Sequence, residues 1–207
     1  MLSALYCIVL GADKMLTVIL TGGGSRRMGR DKAMLDIGGK TMLQHLIDKY
    51  SAMGEVAVSV NERGRFPFEG AIELVDRFPD MGPLNGLVSA FSDTDADCVF
   101  LTGTDLPLGE RVLAQKLLEL CEGYDACVMK RGVKGFEPLF AVYKRACAEP
   151  AGECLEEGRR SFTALFDRVK VRYVEENELA GFDLDRILMN VNTAEELEEL
   201  EKILFES

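Results

Sequence analysis

The chain has 207 residues, a length that favours one globular domain, and 47% hydrophobic with 29% charged residues excludes a disordered chain. No apolar run reaches the roughly 20 residues of a membrane span, so no membrane partner is expected. The net charge of −11, from 24 basic and 35 acidic residues, argues against nucleic acid as the main partner, because binding to phosphate backbones depends on positive charge.

The first residues do not fit the domain that follows. Residues 1–10 are apolar, but no basic segment precedes them and no small-residue cleavage site follows, so a secretory signal is a poor fit. A second methionine, Met15, stands directly before the first strand-like run. We expect residues 1–14 to be an N-terminal extension or an overextended start, and residues 15–207 to form a single functional domain.

Short apolar runs then alternate with longer segments of helical period. The runs predicted as strands are 16–20, 56–60, 72–75, 98–101, 126–129, 139–143 and 169–174. The segments predicted as helices are 41–53, 83–92, 111–121, 144–157 and a last helix that begins near Thr193. This alternation predicts an α/β fold with a parallel sheet covered by helices on both faces.

Polar residues directly follow four of the predicted strands. They are Thr21 to Gly24 after the first, Asn61 after the second, Asp76 after the third, and Thr104 with Asp105 after the fourth. Ligands of such sheets bind at the carboxyl ends of the strands, so these residues form the expected rim of a site.

Six cysteines and one histidine limit the possible metal chemistry. The cysteines contain no C-x-x-C pair, and a single histidine, His45, cannot complete a zinc set. We expect reduced thiols that pack in the core of a cytoplasmic protein, and a structural or surface role for His45.

The segment after the first strand has the composition of a phosphate-binding loop. It reads L-T-G-G-G-S-R-R-M-G-R-D-K from Leu20 to Lys32, with three consecutive glycines directly after the strand and four cations in an acidic chain. Glycines let backbone N–H groups approach an anion closely, and the cations favour a polyphosphate. A Walker A loop is excluded because Arg30 and Asp31 follow Gly29, and the dinucleotide fingerprint is excluded because Arg27 stands where a glycine is required.

Four elements, in order, carry a resemblance to a known family. The glycine-rich segment is similar to the L-A-G-G-x-S-x-R-M-G-x-D-K signature of the MobA-like nucleotidylyltransferases, and residues 82–86 (G-P-L-N-G) resemble their G-P-L-x-G. Residues 104–107 (T-D-L-P) resemble C-D-x-P, and N-V-N-T-A-E-E-L within 189–197 resembles N-V-N-T-P-E-E-L. The resemblance implies a Rossmann-like fold of the nucleotide-diphospho-sugar-transferase type, a mostly parallel central sheet flanked by helices on both faces.

The closing N-V-N-T element and Gly158-Arg159-Arg160 are similar to the branch of this family that transfers GMP from GTP to molybdopterin and releases pyrophosphate. The resemblance implies Arg27, Lys32 and Asp105 as catalytic residues. It implies nucleotide binding by Leu20, Thr21, Gly22, Gly23, Lys32, Asn61, Asp76 and Asp105. It implies acceptor binding by Arg159, Arg160, Asn190 and Asn192, with Glu137 near the acceptor pocket.

Asp105 is the expected metal ligand, since Pro107 restrains the chain two residues after it and a hard carboxylate oxygen suits Mg²⁺, with Mn²⁺ as the alternative. The expected partners are GTP and the molybdenum cofactor. The sequence leaves open whether cofactor-delivery or acceptor proteins contact the chain transiently.

Two other functions stay open at this point. One is a related nucleotidylyltransferase that uses CTP or a different phosphate acceptor. The other is a non-catalytic nucleotide-binding protein, although the presence of both Lys32 and Asp105 argues against it. Base preference separates the first alternative from the expected activity, and turnover to pyrophosphate separates the second.

Overall fold

A central sheet organises the molecule, whose computed structural model describes residues 14–22, 31–78, 80–132, 135–191 and 193–205. Its strands, in chain order, are β1 (Met15–Leu20), β2 (Asp36–Ile37), β3 (Lys40–Thr41), β4 (Glu55–Val60), β5 (Ile72–Val75), β6 (Cys98–Gly103), β7 (Ala126–Arg131), β8 (Gly135–Lys144) and β9 (Val171–Val174). Seven of them form one sheet in the order β5-β4-β1-β6-β8-β7-β9, and β2 pairs with β3 in a separate hairpin.

The sheet is mostly parallel, as predicted, with one exception. β1 pairs in parallel with β4 and β6, β4 pairs in parallel with β5, and β7 with β9. β8 lies antiparallel between β6 and β7. The carboxyl ends of β1, β4, β5 and β6 therefore meet at one edge, and the amino end of β8 lies at that same edge.

Helices cover both faces of the sheet. They are α1 (Met42–Tyr50), α2 (Leu84–Asp93), α3 (Arg111–Leu120), α4 (Ala148–Glu156), α5 (Phe162–Phe166), α6 (Leu184–Ile187) and α7 (Ala194–Phe205). Residues of α1, α3 and α6 pack into one core cluster with Ile19 and Phe100, and residues of α2, α4 and α5 pack into a second cluster with Val18 and Leu101. Neighbouring residues of β1 and of β6 thus serve opposite faces, which explains why these strands are apolar along almost their whole length.

The start of α1 follows the capping pattern in the sequence. Thr41 is the N-cap, and its hydroxyl accepts a hydrogen bond from the backbone N–H of Gln44 at 3.2 Å. His45 lies on this helix and its Nε2 is 2.6 Å from the carbonyl oxygen of Ile37, so of the structural or surface role predicted for the histidine the contact favours the structural one.

The segment before α1 contains two short elements that the sequence patterns did not predict. A 3-10 helix spans Lys32–Met34, and the hairpin β2–β3 turns through Gly38 and Gly39 at φ of 62° and 88°. A two-residue hairpin turn of this kind needs positive φ at both positions, so two glycines suit it.

A small third core cluster joins the end of the chain to this hairpin. Leu200 of α7 is buried with Val191, Leu108 and Ile37. The contact brings the N-V-N segment of the sequence beside the loop that follows β6.

Three predictions depend partly or wholly on residues outside those described. Residues 1–13 are among these, so the proposed extension and domain limits stay predictions. All five described cysteines are buried with free thiols, as expected, and Cys7 lies outside the described part. Among the described residues, no helix is both long and apolar enough to cross a membrane.

Candidate nucleotide and metal site

The ends of the central strands are tied to one another by hydrogen bonds. The backbone N–H of Thr104 donates to the carbonyl oxygen of Leu20 at 3.1 Å. The hydroxyl of Thr21 donates to the carbonyl oxygen of Ser59 at 2.6 Å. These contacts hold the ends of β1, β4 and β6 together and leave Gly22, where the chain leaves the sheet, exposed.

Asp76 extends this network to the edge strand of the sheet. The hydroxyl of Ser59 donates to Oδ1 of Asp76 at 2.7 Å. Burial raises the pKa of Asp76, and hydrogen bonds from Ser59 and Asn85 oppose that rise. Asn85 is itself held, because its Oδ1 accepts from the backbone N–H of Phe78 at 3.0 Å. The structure thus places Asp76 in a built polar network beside Thr21.

Lys32 begins the 3-10 helix that follows the glycine-rich segment and is only 8% exposed. Asp31 caps this helix, since its Oδ1 accepts from the backbone N–H of Ala33 at 3.3 Å. The other oxygen of Asp31 accepts from Nη2 of Arg65 at 2.8 Å. The predicted phosphate-binding residues Gly23 and Arg27 lie outside the described residues.

Asn61 directly follows β4 and is exposed, as expected for a residue that reads a ligand. Its Oδ1 accepts a hydrogen bond from Nη1 of Arg65, the same guanidinium that pairs with Asp31. Arg65 was not predicted as part of the site, because an arginine in a polar loop carries no signal until the loop is placed beside another charged residue.

Asp105 stands in a tight turn after β6. The backbone N–H of Leu106 donates to the carbonyl oxygen of Gly103 at 3.2 Å. The carboxylate folds back over Gly103 so closely that a Cβ there would lie 2.4 Å from Oδ1 of Asp105, so a larger residue at this position would displace the carboxylate. The carbonyl oxygen of Asp105 accepts from the backbone N–H of Val191 at 3.0 Å. The N-V-N segment is thus bonded directly to the predicted metal ligand.

Lys49 of α1 holds the loop that follows Asp105 through two hydrogen bonds. Its Nζ lies 2.5 Å from the carbonyl oxygen of Pro107 and 3.1 Å from that of Gly109. Burial lowers the pKa of Lys49 to about 8, against a small opposing effect of Glu110. A half-buried cation that donates to two carbonyls of one loop restrains that loop.

Glu137, near the amino end of β8, adds a second carboxylate to the site. Burial raises its pKa, the backbone N–H of Leu139 lowers it, and the negative charge of Asp105 raises it further while Arg131 lowers it. The register of β8 against β6, with Leu101 opposite Ala141, carries the first residues of β8 toward the loop that follows β6. β8 is antiparallel, and this brings its first residues to the rim.

The donor set at this edge fits Mg²⁺. The described residues contain no group of three or more His, Cys, Asp or Glu side chains able to hold a metal. Mg²⁺ does not need one, because it keeps several waters and binds through one or two carboxylates together with substrate phosphates. Asp105 alone meets that requirement.

The two arginines predicted to bind the acceptor make separate contacts. Arg159 pairs with Asp167 at 3.4 Å on the surface. Nη1 of Arg160 donates to the carbonyl oxygen of Asp80 at 3.2 Å, and Asp80 has a positive φ of 62°. Arg160 therefore braces the loop before α2.

Asn190 is exposed beside Val191, and the predicted partner Asn192 lies outside the described residues. The structure brings Asn190 close in sequence and space to the Asp105 turn through Val191. It does not bring Asn190 into a contact with Arg159 or Arg160 among the hydrogen bonds described.

The fold and the site together define an α/β protein of the nucleotidyltransferase class. The features that do so are a mostly parallel sheet, strand ends joined by hydrogen bonds, a buried lysine after a glycine-rich segment and an aspartate at the rim. A family model described as MobA-like NTP transferase domain matches residues 17–172. The chain belongs to this family.

Individual relatives agree with that assignment. A Methanosarcina mazei protein named probable molybdenum cofactor guanylyltransferase is 30% identical over 199 residues, 88% of each chain. A Pelotomaculum thermopropionicum protein of the same name is 33% identical over 185 residues, 87% of this chain and 88% of the relative. The crystal structure of molybdopterin-guanine dinucleotide biosynthesis protein A from Archaeoglobus fulgidus has a TM-score of 0.79 at 24% identity, covers 93% of this chain and 100% of its own, and confirms the fold.

Proposed function

We propose that this enzyme transfers GMP from GTP to molybdopterin and releases pyrophosphate. In this reaction a phosphate oxygen of the acceptor attacks the α-phosphorus of GTP, a new P–O bond forms, and the bond to the β-phosphate breaks. The observation that carries the proposal is the turn at Asp105. Backbone hydrogen bonds tie this turn to Leu20 through Thr104 and to Val191 through the carbonyl oxygen of Asp105, so the nucleotide side and the N-V-N segment meet at one turn.

The residues of the rim would have two tasks, to align the substrates and to neutralise the charge of the phosphates. The backbone around Leu20, Thr21, Gly22 and Gly23, with Asn61 and Asp76, would hold the nucleoside. Lys32 and Arg27 would neutralise the triphosphate, because an anion attacking an anion needs positive charge at the phosphates more than a strong base. Holding both substrates in line can contribute roughly 7–11 kcal/mol in favourable cases.

Asp105 would hold Mg²⁺, or Mn²⁺, at this edge of the sheet. When bound, the ion supplies Lewis-acid stabilisation of charge at the reacting phosphate. The acceptor would lie toward Arg159, Arg160, Asn190 and Asn192. The buried free thiols are compatible with a reducing cytosol, where we expect the enzyme to work.

Pyrophosphate release tests the proposal. The purified protein is given molybdopterin, Mg²⁺ and GTP, CTP or ATP in turn, and Asp105→Asn is compared with Asp95→Asn. Asp95 is an exposed aspartate before the amino end of β6, where it pairs with Lys14. We expect release with GTP, a loss of at least about a hundredfold in Asp105→Asn, and unchanged release in Asp95→Asn.

Other outcomes would redirect the assignment. Release with CTP instead would indicate a cytidylyltransferase with the same mechanism. GTP binding without release would indicate a different acceptor or a binding protein. Weaker binding of Mn²⁺ in Asp105→Asn, measured by electron paramagnetic resonance in the presence of GTP, tests the metal role independently of turnover.

A further inference from the structure

The guanidinium of Arg65 is held in one orientation on three sides. Nη1 donates to Oδ1 of Asn61, and Nη2 donates to Oδ2 of Asp31 at 2.8 Å. The guanidinium carbon also lies 4.9 Å from the centre of the ring of Phe66, which is 6% exposed. The side chains of Arg65 and Asp31 are 34% and 21% exposed, so this arrangement lies at the edge of the site rather than free in solvent.

This contact determines which way the amide of Asn61 faces. An arginine side chain has only donors, so the group that it meets on Asn61 must be the carbonyl oxygen. The N–H donors of the same amide then point away from Arg65. The usual ambiguity between the oxygen and nitrogen of an asparagine is removed by the chemistry of its neighbour.

An amide that presents donors discriminates between bases. Guanine carries an acceptor, O6, at the position where adenine carries an amino group, and cytosine also carries an amino group on its corresponding edge. Asn61 follows β4, whose Ser59 lies opposite Leu20 of β1, so Asn61 stands at the rim beside the segment proposed to bind the nucleoside. N–H donors at this position can form a hydrogen bond with O6 of guanine. They offer no acceptor to the amino groups of adenine and cytosine.

We propose that Arg65 is a specificity-determining residue that selects guanine by fixing the amide of Asn61 with its donors toward the base. This inference rests on the proposed function. Arg65 is a positioning residue, since it acts through Asn61 and not on the substrate. Through Asp31, which caps the helix of Lys32, the same guanidinium also joins the base-reading residue to the phosphate-binding segment.

Nucleotide binding without acceptor tests the proposal. The probes are GTP, ATP and 2-aminopurine riboside triphosphate, which lacks O6 and, with it, the proton on N1, so the change of the ratio in the Arg65 variants is the decisive quantity. The wild-type protein should bind GTP about tenfold or more tightly than the 2-aminopurine nucleotide, the effect of leaving one hydrogen bond unmade. Arg65→Met, which keeps an apolar stem but no donor, should reduce that ratio to within about threefold.

Two further variants complete the test. Arg65→Lys keeps a cation with donors only, so it should retain part of the ratio. Arg63→Met removes an exposed arginine of the same loop and should leave the ratio unchanged. Calorimetry or competition against a fluorescent GTP analogue measures all these affinities.

The outcomes separate this inference from the proposed function. If Arg65→Met lowers the affinities for GTP and for the 2-aminopurine nucleotide by the same factor, their ratio is unchanged. Arg65 then acts through its charge alone, and the inference is overturned. An unchanged ratio in Arg65→Met, or no preference in the wild type, overturns it as well while GTP-dependent turnover leaves the proposed function standing. A wild-type protein that does not bind GTP overturns both.

Discussion

Replacing Lys49 by methionine tests how the loop that carries Asp105 is held. The change removes an ammonium that donates to the carbonyl oxygens of Pro107 and Gly109 and keeps a side chain of similar length. The Asp105 loop then loses its tie to α1. We expect kcat to fall by about tenfold or more, because an error of the order of 1 Å in a reacting geometry has large effects on rate.

The effect on stability depends on pH in a way that can be calculated. The pKa of Lys49 is lowered in the fold from 10.5 to about 8, chiefly by burial. At 1.36 kcal/mol per pH unit, the fold disfavours the ammonium relative to the neutral amine by about 3 kcal/mol. Between pH 8 and 10.5 the unfolded chain binds the proton and the folded chain does not, so this group makes stability rise with pH across that window.

The variant lacks this contribution, and it also loses two hydrogen bonds from a charged donor. Their loss costs about 1–3 kcal/mol each at the unpaired carbonyls, while the penalty for burying the charge disappears. The two effects are of similar size below pH 8, so the wild type and Lys49→Met should differ little there. At pH 10.5 the wild type should have gained about 3 kcal/mol over the variant.

Urea denaturation of both proteins at pH 7, 8, 9 and 10 measures this difference. Subtracting the two curves cancels the tyrosines and cysteines that titrate in the same range, since both proteins contain them. Parallel stability curves would refute the reasoning about Lys49. A kcat that is unchanged in the variant would refute its role in positioning the Asp105 loop.

Two more predictions concern packing. Gly86→Ala should destabilise the protein by roughly 1–3 kcal/mol, because the new Cβ would lie 2.3 Å from Cδ2 of Leu20 and 3.2 Å from Oγ of Ser59. Gly152→Ala is also in a helix, but nothing lies within 4 Å of the new Cβ. It should stabilise the protein by about 0.5–1 kcal/mol. Thermal unfolding of both variants measures the two changes in stability, and equal changes would contradict the prediction. Iodoacetamide should label the buried cysteines only as the protein unfolds, because burial raises the pKa of their thiols, and peptide mass spectrometry that finds rapid native labelling would contradict this. These cysteines are Cys98, Cys121, Cys127, Cys147 and Cys154.

Local sequence patterns predicted most of the elements. The central strands are recognisable because a strand buried on both faces must be apolar throughout, and α1 because its capping residues and apolar face recur at helical spacing. Two-residue strands such as β2 and β3 have no period to detect, and only Gly38-Gly39 signals the turn between them. The short helices α5 and α6 were missed for the same reason.

The candidate site divides in a similar way. Lys32 and Asp105 belong to local motifs whose residue order is itself the signal, so the sequence alone could single them out. Lys49 and Arg65 were not predicted as parts of the site because each contacts residues distant in the chain. For Glu137 the family resemblance predicted only a place near the acceptor pocket, not one at the same edge of the sheet as Asp105. Their roles exist only once the elements are packed.

The sequence by itself determined the alternation of strands and helices and the polar residues at the strand ends, because these follow from periodicity and turn chemistry within a few residues. The tertiary structure alone decided that β8 runs antiparallel between β6 and β7, since an apolar run reads the same in both directions. That reversal brings Glu137 to the rim beside Asp105, and the packing of the last helix brings Val191 to the carbonyl of the same aspartate. Strand order and direction depend on pairings between distant residues, which no local pattern of side chains encodes.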